Sequence, residues 1–539
     1  MSEADAPGPP APPPTLVRSP LSDGEWHRMH PLTPLMRGGL FLLVIGGFVV
    51  ANMRDRLMAV FVPWMLPDSP EDEIPDFGGG GDPIDFVIAN NLYLVALLVV
   101  LAVLTVLVGG FYLSWRFHSF RITGDDVEVR RGILNRTQRR APLDRVQGVN
   151  LTRPMIARLF GMAKLEVVGA GADANVKLEY LSTANAEAVR ADILRLASGR
   201  QLGTSTADGA RTPATSPVAA LGQTVGRGVT GLIQGDEPEV DEPESVVHIP
   251  LGRLIASHVI SPGTVWLLAA LTAIIVGVVN STPWLLVGFL PALIGFGVYW
   301  VRSITRSMRY AIAPTPDGVR ITFGLLTTVT EIVPPGRVHA IEVSQSILWR
   351  PAGWWTVTVN RLSGSSSGDG NAEQFATVLP VGTRDDVEQV LRLLLPDLPE
   401  STWPEVFRHG ILGPQADDPY TNTPGRARLL RPLSWRRNGV LTKPDVLLLR
   451  RGIVWRRLSI LPLARLQSIG VSQGPLARAL SVAGIRAHTI TGRVSTSLGA
   501  IDRDAALGVF DDVESGVLAA AASDRTHRWA GEDSGHDQG

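Results

Sequence analysis

The chain has 539 residues, which is too long for one compact domain and suggests about three or four folded units. Hydrophobic residues make up 45% of it, the formal net charge is −1, and cysteine is absent. Disulfides, thiolate metal sites and cysteine nucleophiles are therefore excluded, and the overall charge says little about partners.

The N-terminal third contains a short tail and then two apolar segments. Residues 1–34 are rich in Pro and Ala and predict a disordered tail rather than a signal peptide. Segments at about 38–58 and 87–113, joined by an acidic loop, predict a transmembrane hairpin over residues 35–115. The first segment is short enough that a re-entrant or interfacial helix is an alternative, but its pairing with the second favours a full crossing.

A second apolar hairpin is predicted over residues 254–301, with spans near 261–279 and 284–301. Arginines are concentrated after each hairpin, whereas the loop at 67–86 contains acidic residues and no Lys or Arg. The excess of positive charge on the cytoplasmic side of membrane proteins places both termini, and everything after each hairpin, in the cytoplasm. We therefore expect a multi-pass protein of the cell inner (plasma) membrane with four transmembrane helices.

The most informative pattern is a threefold internal repeat without gaps. In each copy a Pro follows a Gly by ten residues, and two Arg follow that Pro by three and by sixteen residues. Agreement of this kind in three copies indicates one folding unit used three times. The signature residues are Gly132, Pro142, Arg145 and Arg158 in the first copy, Gly324, Pro334, Arg337 and Arg350 in the second, and Gly452, Pro462, Arg465 and Arg478 in the third.

Each copy consists of several short segments rich in β-formers, separated by turn residues, and ends in a helical pattern. This order predicts a small barrel or sandwich capped by one helix. The predicted domains are 116–199, 302–397 and 433–521. Residues 200–250 and 398–432 are predicted linkers, and 522–539 a second disordered tail.

The repeat resembles the bacterial pleckstrin-homology-like (PH-like), membrane-flanked domain family. The resemblance lies in a Gly, then Pro-x-x-Arg-Val/Leu-Gln/His, then a second Arg, all following a membrane hairpin. Three such units on one chain are similar to its YdbT-like members. The resemblance implies a bent, seven-stranded β-barrel closed by a C-terminal helix, a membrane-associated role without catalysis, and a shorter sister protein with one such unit as partner. The third copy departs from the pattern, because no hairpin precedes it.

The third copy is also the most basic. Residues 426–498 contain thirteen Arg and Lys443 against Asp445 alone, a net charge of +13. Such a density attracts anionic lipid headgroups, at about 1 kcal/mol per basic residue near the surface. A solvated basic surface, a face against another copy, and a nucleic-acid site are the alternatives, although no nucleic-acid motif supports the last. The candidates for lipid or partner binding are Arg428, Arg431, Arg436, Arg437, Arg450, Arg451, Arg456 and Arg457.

The paired signature arginines are expected to be structural, with ligand binding as the alternative, because they recur in copies of different charge. No phosphate loop, zinc-protease motif, nucleophile elbow or metal-ligand spacing is found, so we expect no catalytic residue, metal or cofactor. The sequence predicts a non-enzymatic membrane scaffold or adaptor that binds lipid, protein or a second copy of itself. The family resemblance implies a role in envelope stress tolerance. A membrane transport or export component is the alternative.

Overall fold

The structure is a computed structural model that describes residues 19–33, 90, 92–132, 136–169, 175–197, 245–280, 284–315, 318–334, 336–361 and 376–523. The predicted first span at 38–58, the acidic loop and residues 200–244 of the first linker lie outside these ranges. All statements below concern the described residues.

The first unit has seven strands and a closing helix, together with the long helix α1 that precedes its second strand. Its elements are β1 (His27–Arg28), α1 (Tyr93–Arg116), β2 (Ser119–Ile122), β3 (Asp126–Arg131), β4 (Thr137–Pro142), β5 (Val146–Pro154), α2 (Met155–Leu159), β6 (Met162–Gly169), β7 (Val176–Ser182) and α3 (Thr183–Ala197).

The second unit repeats this order, with three apolar helices between its first and second strands. Its elements are β8 (Val247–His248), α4 (Leu251–Val259), α5 (Pro262–Val279), α6 (Trp284–Ser307), β9 (Ala311–Thr315), β10 (Gly318–Phe323), β11 (Thr327–Val333), β12 (Val338–Ser346), β13 (Trp355–Arg361), β14 (Thr377–Gly382) and α7 (Arg384–Leu394).

The third unit has the same seven strands and the longest closing helix of the three. Its elements are β15 (Thr421–Asn422), β16 (Gly439–Thr442), β17 (Val446–Arg451), β18 (Trp455–Pro462), β19 (Ser468–Ser472), α8 (Pro475–Ala479), β20 (Val482–His488), β21 (Ser497–Asp502) and α9 (Arg503–Ser523). The antiparallel strands and terminal helix of every unit agree with the predicted PH-like architecture.

Within each unit the strands form a four-stranded sheet and then a three-stranded sheet, and these sheets join between units. The three-stranded sheet of the first unit continues into the four-stranded sheet of the second as one seven-stranded sheet, because β5 pairs with β11. The second and third units join in the same way through β12 and β18. The three units therefore form one β-paired array.

The two junctions have the same register. In the first, Arg153 faces Thr328 and Val149 faces Ile332. In the second, the residues at the same repeat positions face each other, Gln345 opposite Arg456 and Ile341 opposite Ile460. A slip of one residue would turn every side chain to the other face, so the shared register shows that both junctions use the same packing.

A buried ion pair crosses the second junction. Glu342 on β12 lies 2.7 Å from the guanidinium of Arg451 on β17 and 3.8 Å from that of Arg457 on β18. The side chains of Glu342 and Arg451 are largely buried. Removing one partner of such a pair would leave an uncompensated charge, so this contact restricts which strand can occupy the junction.

Two segments predicted to lack structure are folded. Within the predicted tail 1–34, residues 19–33 pack on the first unit, where Met29 is 2% exposed and the Ser19 amide donates to Asp192. Within the predicted linker 398–432, Trp403 and Phe407 enter the core of the second unit and stack on each other. Trp403 precedes a π-helix (Glu405–Ile411) that contains Phe407, and this spacing matches neither the helical nor the strand period that a sequence shows.

The apolar helices keep many large side chains exposed, among them Val106 on α1, Trp266 on α5 and Val298 on α6. Among the described residues no single helix is long and apolar enough to cross a membrane. Leu251–Val259 and Pro262–Gly277 together satisfy that test by length and composition, with a bend of 52° between them. The four predicted transmembrane helices are therefore not confirmed.

The signature glycines form the turn between the third and fourth strands of each unit. Gly324 and Gly452 have φ angles of 103° and 74°. A Cβ atom at either position would lie 2.0 Å from the carbonyl oxygen of Thr327 or Trp455, respectively. Only glycine fits such a left-handed turn against the backbone, which explains why the repeat begins with it.

We predict that Gly452→Ala lowers the free energy of unfolding of the full chain by at least about 2 kcal/mol, because strain and a backbone clash coincide. Thermal unfolding in detergent should show a midpoint several degrees below wild type. Gly425→Ala is the control, since a Cβ there meets nothing within 4 Å. Equal midpoints for the two variants would contradict this explanation of the signature glycine.

Candidate functional site

The third unit carries a basic loop where the other two units carry apolar helices. In the second unit α4, α5 and α6 lie between β8 and β9, and in the first unit α1 lies between β1 and β2. In the third unit the same place, between β15 and β16, is occupied by residues 423–438, which we call the basic loop. The loop is thus the topological counterpart of the hairpins and not merely a linker.

The base of the basic loop is fixed by charged and amide side chains. Arg437 donates to the carbonyl oxygens of Gly410, Ile411 and Leu412 at 3.1, 2.8 and 3.2 Å. Asn438 donates to Thr423 and to the Gly499 carbonyl, both at 2.8 Å. These bonds hold the two ends of the loop together, so its tip is presented by a rigid base.

The opposite end of the loop is also tied to the barrel. Arg426 donates to the carbonyl oxygens of Leu480 and Ser481 and pairs with Asp502. Between these anchors the backbone forms successive tight turns, such as Leu430 to Ala427 and Trp435 to Arg431, each at 3.0 Å or less. The main-chain polar groups in these turns are paired within the loop, which lowers the cost of moving the tip into an apolar environment.

The tip combines exposed leucines with cations. Leu429 is 83% exposed and Leu433 is 71% exposed. Arg428 and Arg436 are exposed beside them, and the Arg436 guanidinium lies 5.1 Å from the ring of Trp435. No acidic residue occurs in the loop. Exposed leucines flanked by arginines are typical of segments that enter the interface of an anionic membrane.

The eight candidate arginines occupy three different environments. Arg428, Arg436 and Arg457 are exposed, and Arg431, Arg451 and Arg456 are partly buried. Burial, followed by the nearby charge of Arg451, lowers the pKa of Arg431 from its ordinary value. Of these six, Arg451 and Arg457 lie near Glu342, and Arg456 donates to Gln345 at 3.4 Å, all at the junction between units. The other three, Arg428, Arg431 and Arg436, belong to the basic loop.

Arg437 and Arg450 are buried, and their assignment as lipid-binding candidates is corrected by their contacts. Burial, followed by the charges of Arg456, Arg450 and Arg350, lowers the pKa of Arg437 to about 9, which leaves it charged at neutral pH. Arg450 is 0% exposed and therefore lies out of reach of a headgroup. A sequence cannot distinguish such arginines from surface ones, because the carbonyls and carboxylates that pair with them come from distant segments.

Arg450 is the polar centre of the third unit. It donates to the Arg437 and His409 carbonyls at 3.0 and 2.5 Å, to both oxygens of Asp418 and to Asn422, and it lies over the ring of Tyr420. Burial by itself would raise the pKa of Asp418, but hydrogen bonds from Arg450 and Asn422 outweigh it and hold that pKa below its ordinary value. Arg450 thereby ties the 398–432 segment to the barrel.

Two of the signature arginines, Arg158 and Arg337, contact a neighbouring unit of the array. Arg158 donates to the Thr328 hydroxyl at 3.1 Å across the first junction. Arg337 approaches the Asp144 carbonyl of the preceding unit at 3.5 Å. Burial, and then the charge of Arg465, lowers the pKa of Arg337. Arg145 and Arg478, at the two ends of the array, are exposed. The contacts of Arg158 and Arg337 are consistent with a structural role, which stays a prediction for the other signature arginines.

A cavity of about 540 Å³ lies where the bent helices meet the second barrel. It is lined by Arg302, Arg306 and Arg493 together with aromatic residues that include Trp300 and Trp349. The Trp349 indole donates to the Ile260 carbonyl at 2.7 Å, in the break between α4 and α5. That carbonyl has no intrahelical donor at a helix end, so Trp349 docks the helices onto the barrel.

A second contact fixes the same helices. Arg253 on α4 lies 2.5 Å from the carboxylate of Asp386, which also caps α7 through Thr383. His258 bridges the Leu254 carbonyl and the Ser303 hydroxyl, both at 3.0 Å, and thereby links α4 to α6. The helical segment is therefore held to the barrel by specific polar contacts on two sides.

Comparison with known families matches the model of the bacterial PH domain to residues 74–197, 252–397 and 423–515, together more than half of the chain. The chain belongs to the bacterial PH domain family. The transmembrane protein YdbT of Bacillus subtilis (strain 168) is 23% identical over 313 residues, which cover 54% of this chain and 59% of YdbT. The alignment thus spans less than two thirds of that relative.

The exposed leucines of the basic loop were not found from the sequence. Leu429 and Leu433 lie in a segment that also contributes Ala427 to the interior, and composition alone does not separate exposed leucines from core leucines. The absence of a hairpin before the third copy was visible in the sequence, but its replacement by a loop in the same topological position was not.

We predict that Arg450→Lys destabilises the third unit by at least about 2 kcal/mol, because an ammonium cannot satisfy acceptors arranged around a planar guanidinium. Since the pKa of Asp418 is depressed, its stabilisation is present above its ordinary pKa near 3.8 and is lost as the pH falls through the lower, folded value. Denaturant unfolding across acidic pH should show this loss in wild type and a weaker pH dependence in Arg450→Lys. Arg428→Lys, at an exposed site, should match wild type, and an equally stable Arg450→Lys would contradict the assignment.

Proposed function

We propose that this bacterial PH-domain protein is a non-enzymatic, membrane-associated scaffold that holds a rigid array of three PH-like units against the cytoplasmic face of the membrane. The observation that carries the proposal is the basic loop, which bears exposed Leu429 and Leu433 where the other units bear apolar helices. The array would then contact the membrane once in every unit. The similarity to YdbT, a protein named for its transmembrane character, supports the same location.

The rigidity of the array supports a scaffold rather than three independent binding domains. Adjacent barrels share hydrogen-bonded sheets, and a buried ion pair also joins the second and third units, so the barrels do not reorient freely. A rigid array fixes the spacing of whatever each unit binds. Anionic lipids, a shorter protein with one PH-like unit, and a second copy of this chain are the partners proposed from the sequence.

The test uses the cysteine-free chain to place one environment-sensitive fluorophore on the full-length protein in vesicles. With the label on Leu433→Cys, we expect blue-shifted emission in vesicles of anionic lipid, because the tip enters the interface, and less shift in zwitterionic vesicles. The matched control is Leu476→Cys on α8, a leucine that is 63% exposed outside the loop. Arg428→Gln with Arg436→Gln should reduce the difference between the two lipids.

High salt should reduce the same difference, because exposed charges are screened. Identical emission from labels at residues 433 and 476 in anionic vesicles would contradict the proposed contact of the basic loop. Identical emission in anionic and zwitterionic vesicles, with the label at 433 still buried, would keep the membrane contact and remove the role of the arginines.

A further inference from the structure

The inward side of each three-stranded sheet presents two apolar residues along its edge strand. These residues are Val149 and Leu151 on β5, Ile341 and Val343 on β12, and Ile469 and Val471 on β19. The first four are fully buried. Ile469 and Val471 are partly exposed, although they occupy the same repeat positions.

The difference arises because the next unit completes the core of the unit before it. Ile332 on β11 faces Val149 and belongs to the core of the first unit. Leu458 and Ile460 on β18 face Val343 and Ile341, respectively. They pack into the cluster of buried residues that forms the core of the second unit. Among the described residues no further unit follows the third, and β19 pairs only with β20.

The other end of the array is closed to such pairing. On β4, the residues equivalent to Leu458 and Ile460 are Gln138 and Arg140. Both are exposed, and Arg140 pairs with Asp126 and lies 3.9 Å from Glu128. Polar, charged edges prevent strand addition, and repeat arrays generally end in a unit with a polar outer face. The first unit is therefore a cap, whereas the third unit is open.

We propose that β19 is a docking site for the edge strand of a four-stranded sheet from a PH-like unit on another protein, with an apolar residue opposite Ile469, as both existing junctions have. The inference is independent of the membrane contact of the basic loop. It rests on continuity with two junctions of one register, which fix the geometry of the third. The partner is a different chain, because β4 of this chain presents the charged Arg140 at the position where both existing junctions have an isoleucine, Ile332 or Ile460.

The signature arginines agree with an open end. Arg158 reaches across the first junction to Thr328, and its counterpart in the third unit, Arg478, is exposed on α8. Extending the shared register places Ser472 opposite the residue of the partner that is equivalent to Thr137. This position corresponds to the facing pairs Thr152–Val329 and Ser344–Arg457 of the two existing junctions.

The test uses the full-length chain in detergent and changes β4 so that its edge can pair with β19 of another chain. The donor carries Gln138→Leu and Arg140→Ile, the residue types of the third unit at these positions, together with Thr137→Cys. The acceptor carries Ser472→Cys and a different affinity tag. Since the wild-type chain has no cysteine, a mixed disulfide reports only the designed contact. We expect its yield to exceed by at least about tenfold that of a donor with the original Gln138 and Arg140, because facing residues lie within disulfide range.

Two controls make each outcome decisive. A donor with Arg136→Cys in place of Thr137→Cys, one residue out of register and at an exposed position, should give little mixed disulfide. If the double substitution lowers the unfolding midpoint of the donor, a second donor replaces it. This donor carries Arg140→Ile and Thr137→Cys and keeps Gln138. No mixed disulfide from a folded donor would overturn the docking site. Efficient linkage with the original β4 edge would overturn the assignment of the partner to a different chain and indicate self-assembly.

Discussion

Strand pairing between units is the interaction on which the rest of the structure depends. Because β5 pairs with β11 and β12 pairs with β18 in one register, the first and second barrels are each completed by the unit that follows. Ile332 contributes to the core of the first unit and Ile460 to the cluster of the second. The units are therefore not separable domains on flexible linkers, and changes at a junction act on two barrels together.

This pairing also determines where the variable segments lie. Each unit has its variable segment between its first and second strands, as α1, as α4 to α6, or as the basic loop. With the barrels joined in a repeating arrangement, the same topological position recurs along the array. Arg253, His258 and Trp349 fix the helices to the second barrel, and Arg426, Arg437 and Asn438 fix the basic loop to the third.

The repeat could be recognised from the sequence because its signature residues are constrained locally. Gly324 and Gly452 require a left-handed turn against a carbonyl, and Pro142 and Pro462 end a strand before a 3₁₀ turn, so spacing alone reveals them. The junctions could not be recognised, since apolar residues such as Ile332 on β11 and Ile460 on β18 are equally consistent with strand pairing inside one unit. The burial of Arg450 could not be recognised either, because it depends on Asp418 and Asn422, which lie in a segment whose composition indicated a linker.

The shared register is tested most directly by disulfide formation within single chains across the two junctions. Thr152→Cys with Val329→Cys, and Ser344→Cys with Arg457→Cys, place cysteines directly opposite each other on paired strands. We expect both pairs to oxidise rapidly in the full-length protein. Moving the second cysteine by one residue, to Thr330 or Arg456, should prevent the bond. Equal oxidation of facing and shifted pairs, or oxidation at one junction only, would contradict the account of three units joined by one repeated strand pairing.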